Sequence, residues 1–248
     1  DENCIAGVDV IVHLAGADIA GKRWTDKRKK EIIDSRAGAI RLIYDLLKNK
    51  KHQVKRVISA SGISYYGSRG DQVQTEDCPP ACDFLGKCCA EWEAAVDEGE
   101  MLGLKTLKFR TGMVLCRRHG ALPKLALPVK LGIGSPLGSG KQWVPWISLQ
   151  DAAGIYLAGI KNYDMAGVYN MVAPDSITNR QLTQAMARQL KRPLWLPGIP
   201  AFVIRLLLGE RAALILNSTR ASSQKIEQSG FNFEHPFIKN TLQQLYKE

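Results

Sequence analysis

Four hydroxyl-bearing side chains fall within one short stretch: Ser61, Ser64, Tyr65 and Tyr66. A phenol can hand over a proton and a serine hydroxyl can hold a carbonyl oxygen, so the group suits proton transfer to a small polar molecule. Tyr65 is the expected proton donor, and Ser61 the group that orients a substrate carbonyl. Such chemistry needs the hydroxyls at one end of a rigid strand. The residues just before them, Arg56-Val-Ile-Ser-Ala-Ser-Gly62, supply it. Val57 and Ile58 are β-branched and apolar, as in a strand buried on both faces of a parallel sheet. Ser59 to Gly62 are small enough for a ligand to lie against the strand end. In open α/β sheets, ligands bind outside the carboxyl ends of the strands.

Other clusters carry less. The six cysteines (Cys4, Cys78, Cys82, Cys88, Cys89 and Cys116) include no Cys-x-x-Cys pair, and no histidine lies near Cys78, Cys82 or Cys88, so no metal site is expected. Adjacent Cys88 and Cys89 read as small apolar filler. Free thiols suit a reducing, cytoplasmic setting. Gly132 to Gly140 imitates a phosphate loop, but Pro136 interrupts it and no strand leads tightly into it; it reads as a flexible loop over a substrate cleft. Trp143 and Trp146 either line that cleft or belong to the core. The formal charge of +10 is spread over helices without interleaved aromatics, which describes a solvated basic surface and not a nucleic-acid platform. Lys27 to Lys30 oppose the dipole of the helix they open, so they face either an anion or water. No apolar run reaches spanning length, and Ala201 to Leu208 is short and carries Arg205, so no membrane partner is expected. No signal peptide opens the chain.

The elements that must position the hydroxyls alternate. The stretch Gly7 to Gly16 opens with a buried strand that ends in small residues. A helix capped by Thr25 runs to about Asn49, with Ile32, Ile33, Ile40, Tyr44 and Leu47 at helical spacing. After the central strand comes a helix over Phe84 to Met101, a strand from Lys105, a short strand at Gln142 to Ser148, a helix capped by Asp151 to about Lys161, and a strand at Gly167 to Val172. Thr178 or Asn179 caps a further helix to Leu190. Ala201 to Leu208 is helical with Gly209 as its stop, and one amphipathic helix surrounds Leu242 and Leu245. This pattern is a Rossmann-like, doubly wound parallel sheet with a small mixed carboxyl-terminal lobe. Residues 1–120 form the cofactor domain, to which 144–175 return; residues 121–143 and 176–248 form the substrate lobe.

The segments Val12-His-Leu-Ala-Gly16, Asp34-Ser-Arg36, Ile58-Ser-Ala-Ser61, Tyr65-Tyr-Gly67, Trp92-Glu93, Arg110-Thr-Gly112 and Gly230-Phe-Asn-Phe233 resemble the epimerase-like branch of the atypical and extended short-chain dehydrogenase/reductases, which carries a C-terminal domain of unknown function. The resemblance runs from end to end. It implies a Rossmann fold and NADP(H), with Leu14, Ala15, Gly16, Glu31, Arg36, Ser59 and Val114 near the cofactor. It implies an oxidoreductase or epimerase-like protein acting on a small molecule. Three departures stand out. The glycine-rich first turn that binds pyrophosphate is not in the sequence, which begins at the family's fourth strand; this points to a fragment or a shortened relative. Leu85 and Cys89 stand where the family has its Tyr-x-x-x-Lys pair. Gly62 occupies the usual serine position. The alternative is therefore a catalytically inactive NADP(H)-binding or partner-binding module.

Overall fold

The computed structural model describes residues 5–247. Along the chain, β1 (Val10–His13) leads to α1 (Asp26–Ile33), which passes through a π-helical turn (Asp34–Gly38) into α2 (Ala39–Asn49). β2 (Arg56–Gly62) ends in a 3-10 turn (Ile63–Tyr66), followed by the short β3 (Val73–Gln74). Next come α3 (Phe84–Asp97), β4 (Lys105–Thr111), β5 (Met113–Leu115), α4 (Ala121–Lys130), β6 (Trp143–Val144), β7 (Trp146–Ser148), α5 (Leu149–Lys161) and β8 (Gly167–Met171). The last third holds β9 (Ile177–Thr178), α6 (Asn179–Gln189), α7 (Ala201–Leu208), α8 (Ala213–Leu216), β10 (Arg220–Ala221), α9 (Gln224–Gln228) and α10 (Ile238–Leu245).

β1, β2, β4 and β8 form one parallel sheet in that order, with Ile58 opposite Val12 on one side and Leu107 on the other. Val57 and Ile58 are both fully buried, and they explain the double winding. Successive strand residues face opposite ways. Val57 packs with Ile40, Tyr44 and Leu47 of α2 and Trp92 and Val96 of α3. Ile58 packs with Leu107, Phe109 and Ile155, on the side of α5. Each such Ile or Leu contributes about 1.5–3 kcal/mol by leaving water. A separate core joins α4, α6 and α10 through Leu122, Leu182, Met186 and Leu242. Among the described residues, no helix is long and apolar enough to cross a membrane.

The sheet expected from the sequence is present, and some boundaries differ for physical reasons. The helix from Phe84 stops at Asp97 and continues as a 3-10 turn over Glu98–Leu102. There the Tyr44 hydroxyl donates to the Val96 carbonyl at 2.6 Å, and a Cβ on Gly99 would sit 2.6 Å from that Tyr44 hydroxyl. The cap of α5 is Ser148, whose Oγ accepts from the Asp151 amide; buried Asp151 instead accepts from the amides of Glu234 and His235. α9 is an element the sequence reading lacked. The Gly132 to Gly140 stretch is anchored inside the lobe: the Leu137 amide donates to Asn179 and the Gln142 side chain donates to the Leu137 carbonyl. None of its residues lines the cleft described below. Trp146 is core, its Nε1 donating to the Asp175 carbonyl, and Trp143 donates to Asp71.

Candidate functional site

A cleft of about 510 Å³ opens at the carboxyl ends of the sheet strands. Leu14 after β1, Ala60, Ser61 and Gly62 of β2, Thr111 of β4 and Met171 of β8 bring the four strands to it. Val114, Ser64 and Arg36 line it too, as do Leu85, Cys88, Cys89 and Trp92 from α3 and Ala152 and Tyr156 from α5. Small residues at the β2 end leave the space open. A Cβ on Gly62 would lie 3.3 Å from the Cys89 sulfur.

The loop after β1 is held in place from the π-helical turn. Ser35 Oγ accepts from the Ala17 amide at 2.9 Å and donates to the Ile32 carbonyl at 2.9 Å. Arg36 donates to the Ala17 carbonyl at 3.1 Å and to the Ile32 carbonyl at 3.0 Å, and its guanidinium lies over the Trp92 ring at 5.2 Å. Both backbone groups of Ala17 are thus taken by neighbouring side chains. Gly16 lets the guanidinium lie close: a Cβ there would come within 2.9 Å of the guanidinium carbon and push Arg36 aside. π turns are rare and recur at functional sites; this one sets Ser35 and Arg36 against the loop.

Beneath Ser61 lies a buried ion pair. Arg110 grips Glu93 through two hydrogen bonds of 2.8 Å each, and Ser61 Oγ donates to the same carboxylate at 2.6 Å. The third arm of Arg110 donates to the Tyr66 hydroxyl at 2.8 Å, which donates in turn to Asn170 at 2.8 Å. With its proton committed to Glu93, the Ser61 oxygen faces the cleft as an acceptor. It would take a hydrogen bond from a ligand hydroxyl or amide more readily than give one to a carbonyl. That revises the carbonyl-orienting role expected of it.

The structure brings Leu14, Arg36, Ser61 and Val114 together, with Gly16 against the Arg36 guanidinium and Ala15 exposed between Leu14 and Gly16. It does not bring Glu31, Ser59 or Tyr65 to the cleft lining. Glu31 is exposed and pairs with Arg28 at 2.6 Å, which holds its carboxyl below the usual range. Ser59 is fully buried against His13, Oγ to Nδ1 at 3.0 Å. The Arg110 guanidinium carbon lies over the Tyr65 ring, 3.4 Å from its centroid. Sequence reasoning missed Tyr156, the phenol that lines the cleft. Burial pushes it up to about 12, the nearby Thr111 side chain opposing that rise. Leu85 and Cys89 do face the cleft from one side of α3, as their four-residue spacing requires. Burial pushes the Cys89 thiol up to about 12, so it offers no thiolate near neutral pH.

His13, next to this site, is buried and keeps its imidazole neutral: burial, then the nearby Arg36 charge, lower it from 6.5. Its Nε2 has no hydrogen-bond partner. The folded state therefore binds the extra proton less readily than the unfolded chain. Its contribution to stability is present above about pH 6.5 and is lost as pH falls below that value. Melting curves should show His13→Asn losing less stability than wild type between neutral pH and pH about 5.

The model of the NAD dependent epimerase/dehydratase family matches residues 2–172. The chain belongs to that family. A domain of unknown function (DUF1731) matches residues 199–245, within the lobe of this epimerase-family chain. Epimerase family protein YfhF of Bacillus subtilis is 36% identical over 239 residues, covering 96% of this chain and 78% of the relative. The crystal structure of human epimerase family protein SDR39U1 (isoform 2) with NADPH superposes with a TM-score of 0.88 at 29% identity, covering 96% of this chain and 82% of that one. A nucleoside-diphosphate sugar epimerase from Corynebacterium glutamicum gives a TM-score of 0.79 at 29% identity, over 99% of this chain and 48% of that one.

Proposed function

We propose that the chain is an NADP(H)-dependent oxidoreductase or epimerase-like protein that works on a small molecule in the strand-end cleft without the family's Tyr/Lys pair. The observation that carries this reading is the convergence of Leu14, Arg36, Ser61, Val114 and Tyr156 on one cleft at four strand ends. The NADPH of the human relative supports it. The residues present suit the nicotinamide end of that cofactor: exposed Leu14 to Gly16 after β1, and small residues at Ala60 and Gly62. When bound, the cofactor supplies or accepts a hydride. Ser61 accepts a hydrogen bond from a polar group of the substrate. Tyr156, protonated through the physiological range, offers its proton to the oxygen that becomes negative; water then restores it. Leu85, Cys89 and Trp92 present an apolar wall that keeps water from the reacting carbon.

Two outcomes follow. Arg36→Ala frees the Ala17 carbonyl and removes charged hydrogen bonds worth about 1.5–3 kcal/mol each, so NADPH affinity should fall about tenfold or more in a fluorescence titration. Assayed against a panel of aldehydes, ketones, enones and quinones, the protein should oxidise NADPH with at least one class. The second reading, a module that binds NADP(H) and acts through a partner, is favoured by Leu85 and Cys89 at the pair positions; saturable NADPH binding with no oxidation across the panel would select it.

A further inference from the structure

Of seventeen exposed large apolar side chains among the described residues, eight lie in two short segments, 121–135 and 188–211. Phe202 (68% exposed), Leu206 (83%) and Leu207 (73%) project from α7, a helix with a single buried residue, Ile204. Trp195 (68% exposed) joins this face to the turn after α4: its Nε1 donates to the Gly132 carbonyl at 3.0 Å, between exposed Leu131 and Ile133. A bridge between Leu137 and Ile199, and a Ser135 hydroxyl bonded to the Pro197 carbonyl, tie the two segments together. The face is fixed in shape and apolar at its centre. A contiguous apolar patch on a protein surface marks an interaction site.

The two segments are also predominantly cationic. The same two segments hold Lys124, Lys130, Arg188, Lys191, Arg192, Arg205 and Arg211 against a single carboxylate, Glu210. That carboxylate is bonded to Lys29 at 2.6 Å. A second copy of this chain would bring the same cationic segments to the contact and be repelled. An anionic surface with an apolar interior answers both features.

We propose that α7, with Trp195 and the Leu131–Ile133 turn, docks on an anionic phospholipid bilayer. Phe202, Leu206 and Trp195 enter the boundary between headgroups and acyl chains, and Arg205, Lys191 and Arg192 meet lipid phosphates. Nothing spans the bilayer. The expectation of no membrane partner rested on spanning length, which does not address a helix lying in the interface. The chain leaving α7 runs straight to the cleft rim, where Arg211 donates to the Ala20 carbonyl at 2.9 Å and Leu214 packs beside Leu85 and Trp24. Docking therefore holds the cleft close to the lipid surface.

Vesicle co-sedimentation tests this with the full chain. The protein should pellet with phosphatidylcholine–phosphatidylglycerol vesicles at low salt, far less at high salt, and weakly with phosphatidylcholine alone. The double variant Phe202→Ser/Leu206→Ser should bind at least about tenfold more weakly, and Arg205→Glu should lose a comparable factor toward the anionic vesicles. Both alter exposed positions, so melting temperatures should stay put; Leu42→Ser, exposed on α2, should bind like wild type. Equal binding to both vesicle types, undiminished binding by the double variant, or no vesicle binding beside a concentration-dependent dimer that the double variant abolishes would overturn the proposal.

Discussion

Glu93→Ala should destabilise the protein by about 3–5 kcal/mol, because it strands the buried Arg110 charge without its carboxylate. In a chain of this size that is roughly a 6–20 °C fall in melting temperature. The pair is bidentate and almost wholly buried, and Ser61, Tyr66 and the Glu76 carbonyl are bonded to the same two groups. Replacing both partners, as in Glu93→Gln/Arg110→Met, should recover most of the loss, since a buried pair is costly chiefly when half of it remains. The half-exposed Arg41–Glu98 pair, at 2.8 Å, is the contrast: Glu98→Ala should cost under about 1 kcal/mol. Chemical denaturation of the four proteins measures both. A Glu93→Ala protein as stable as wild type would mean that the network beneath Ser61 does not hold the strand end.

Tyr156→Phe should lower the rate of NADPH oxidation about 100-fold or more, the usual range for loss of a general acid, while NADPH affinity stays within about twofold. Tyr156 lines the cleft, and burial pushes its phenol up to about 12. It can act as a donor across the working range, so the reductive rate should not decline between pH about 7 and 10 through its ionisation. Tyr65→Phe is the control. Its ring packs on Arg110 and does not line the cleft, so turnover should change little. If Tyr65→Phe abolished turnover and Tyr156→Phe did not, the donor would be the one first read from the sequence.

The sheet was legible because it depends on patterns that survive any context. Val57 and Ile58 demanded apolar cover on two sides, and Thr25 and Thr178 are caps whose side chains accept from Arg28 and Gln181 amides as their types suggest. At the cleft, Ser61 follows from reading the end of a parallel strand, whereas Leu14 and Val114 follow from the family resemblance; all three line the cleft. The site was not legible where long-range packing decides. Tyr156 sits on α5, far along the chain, and no local pattern distinguishes it from a core tyrosine. Tyr65 and Tyr66 look alike in sequence, yet the 3-10 turn buries Tyr66 among polar partners and lays Tyr65 on Arg110. Glu31 lies on α1 and Arg36 in the π-helical turn that follows it, and only Arg36 turns to the cleft.

The most direct test of the central claim is a titration of nicotinamide fluorescence, with NADPH added to this chain and to a form extended upstream by a strand–turn–helix unit. The account predicts saturable one-to-one binding, in the micromolar to millimolar range usual for such ligands, weakened by Arg36→Ala. Absence of saturable binding in both forms would contradict it and leave the strand-end cleft without its cofactor.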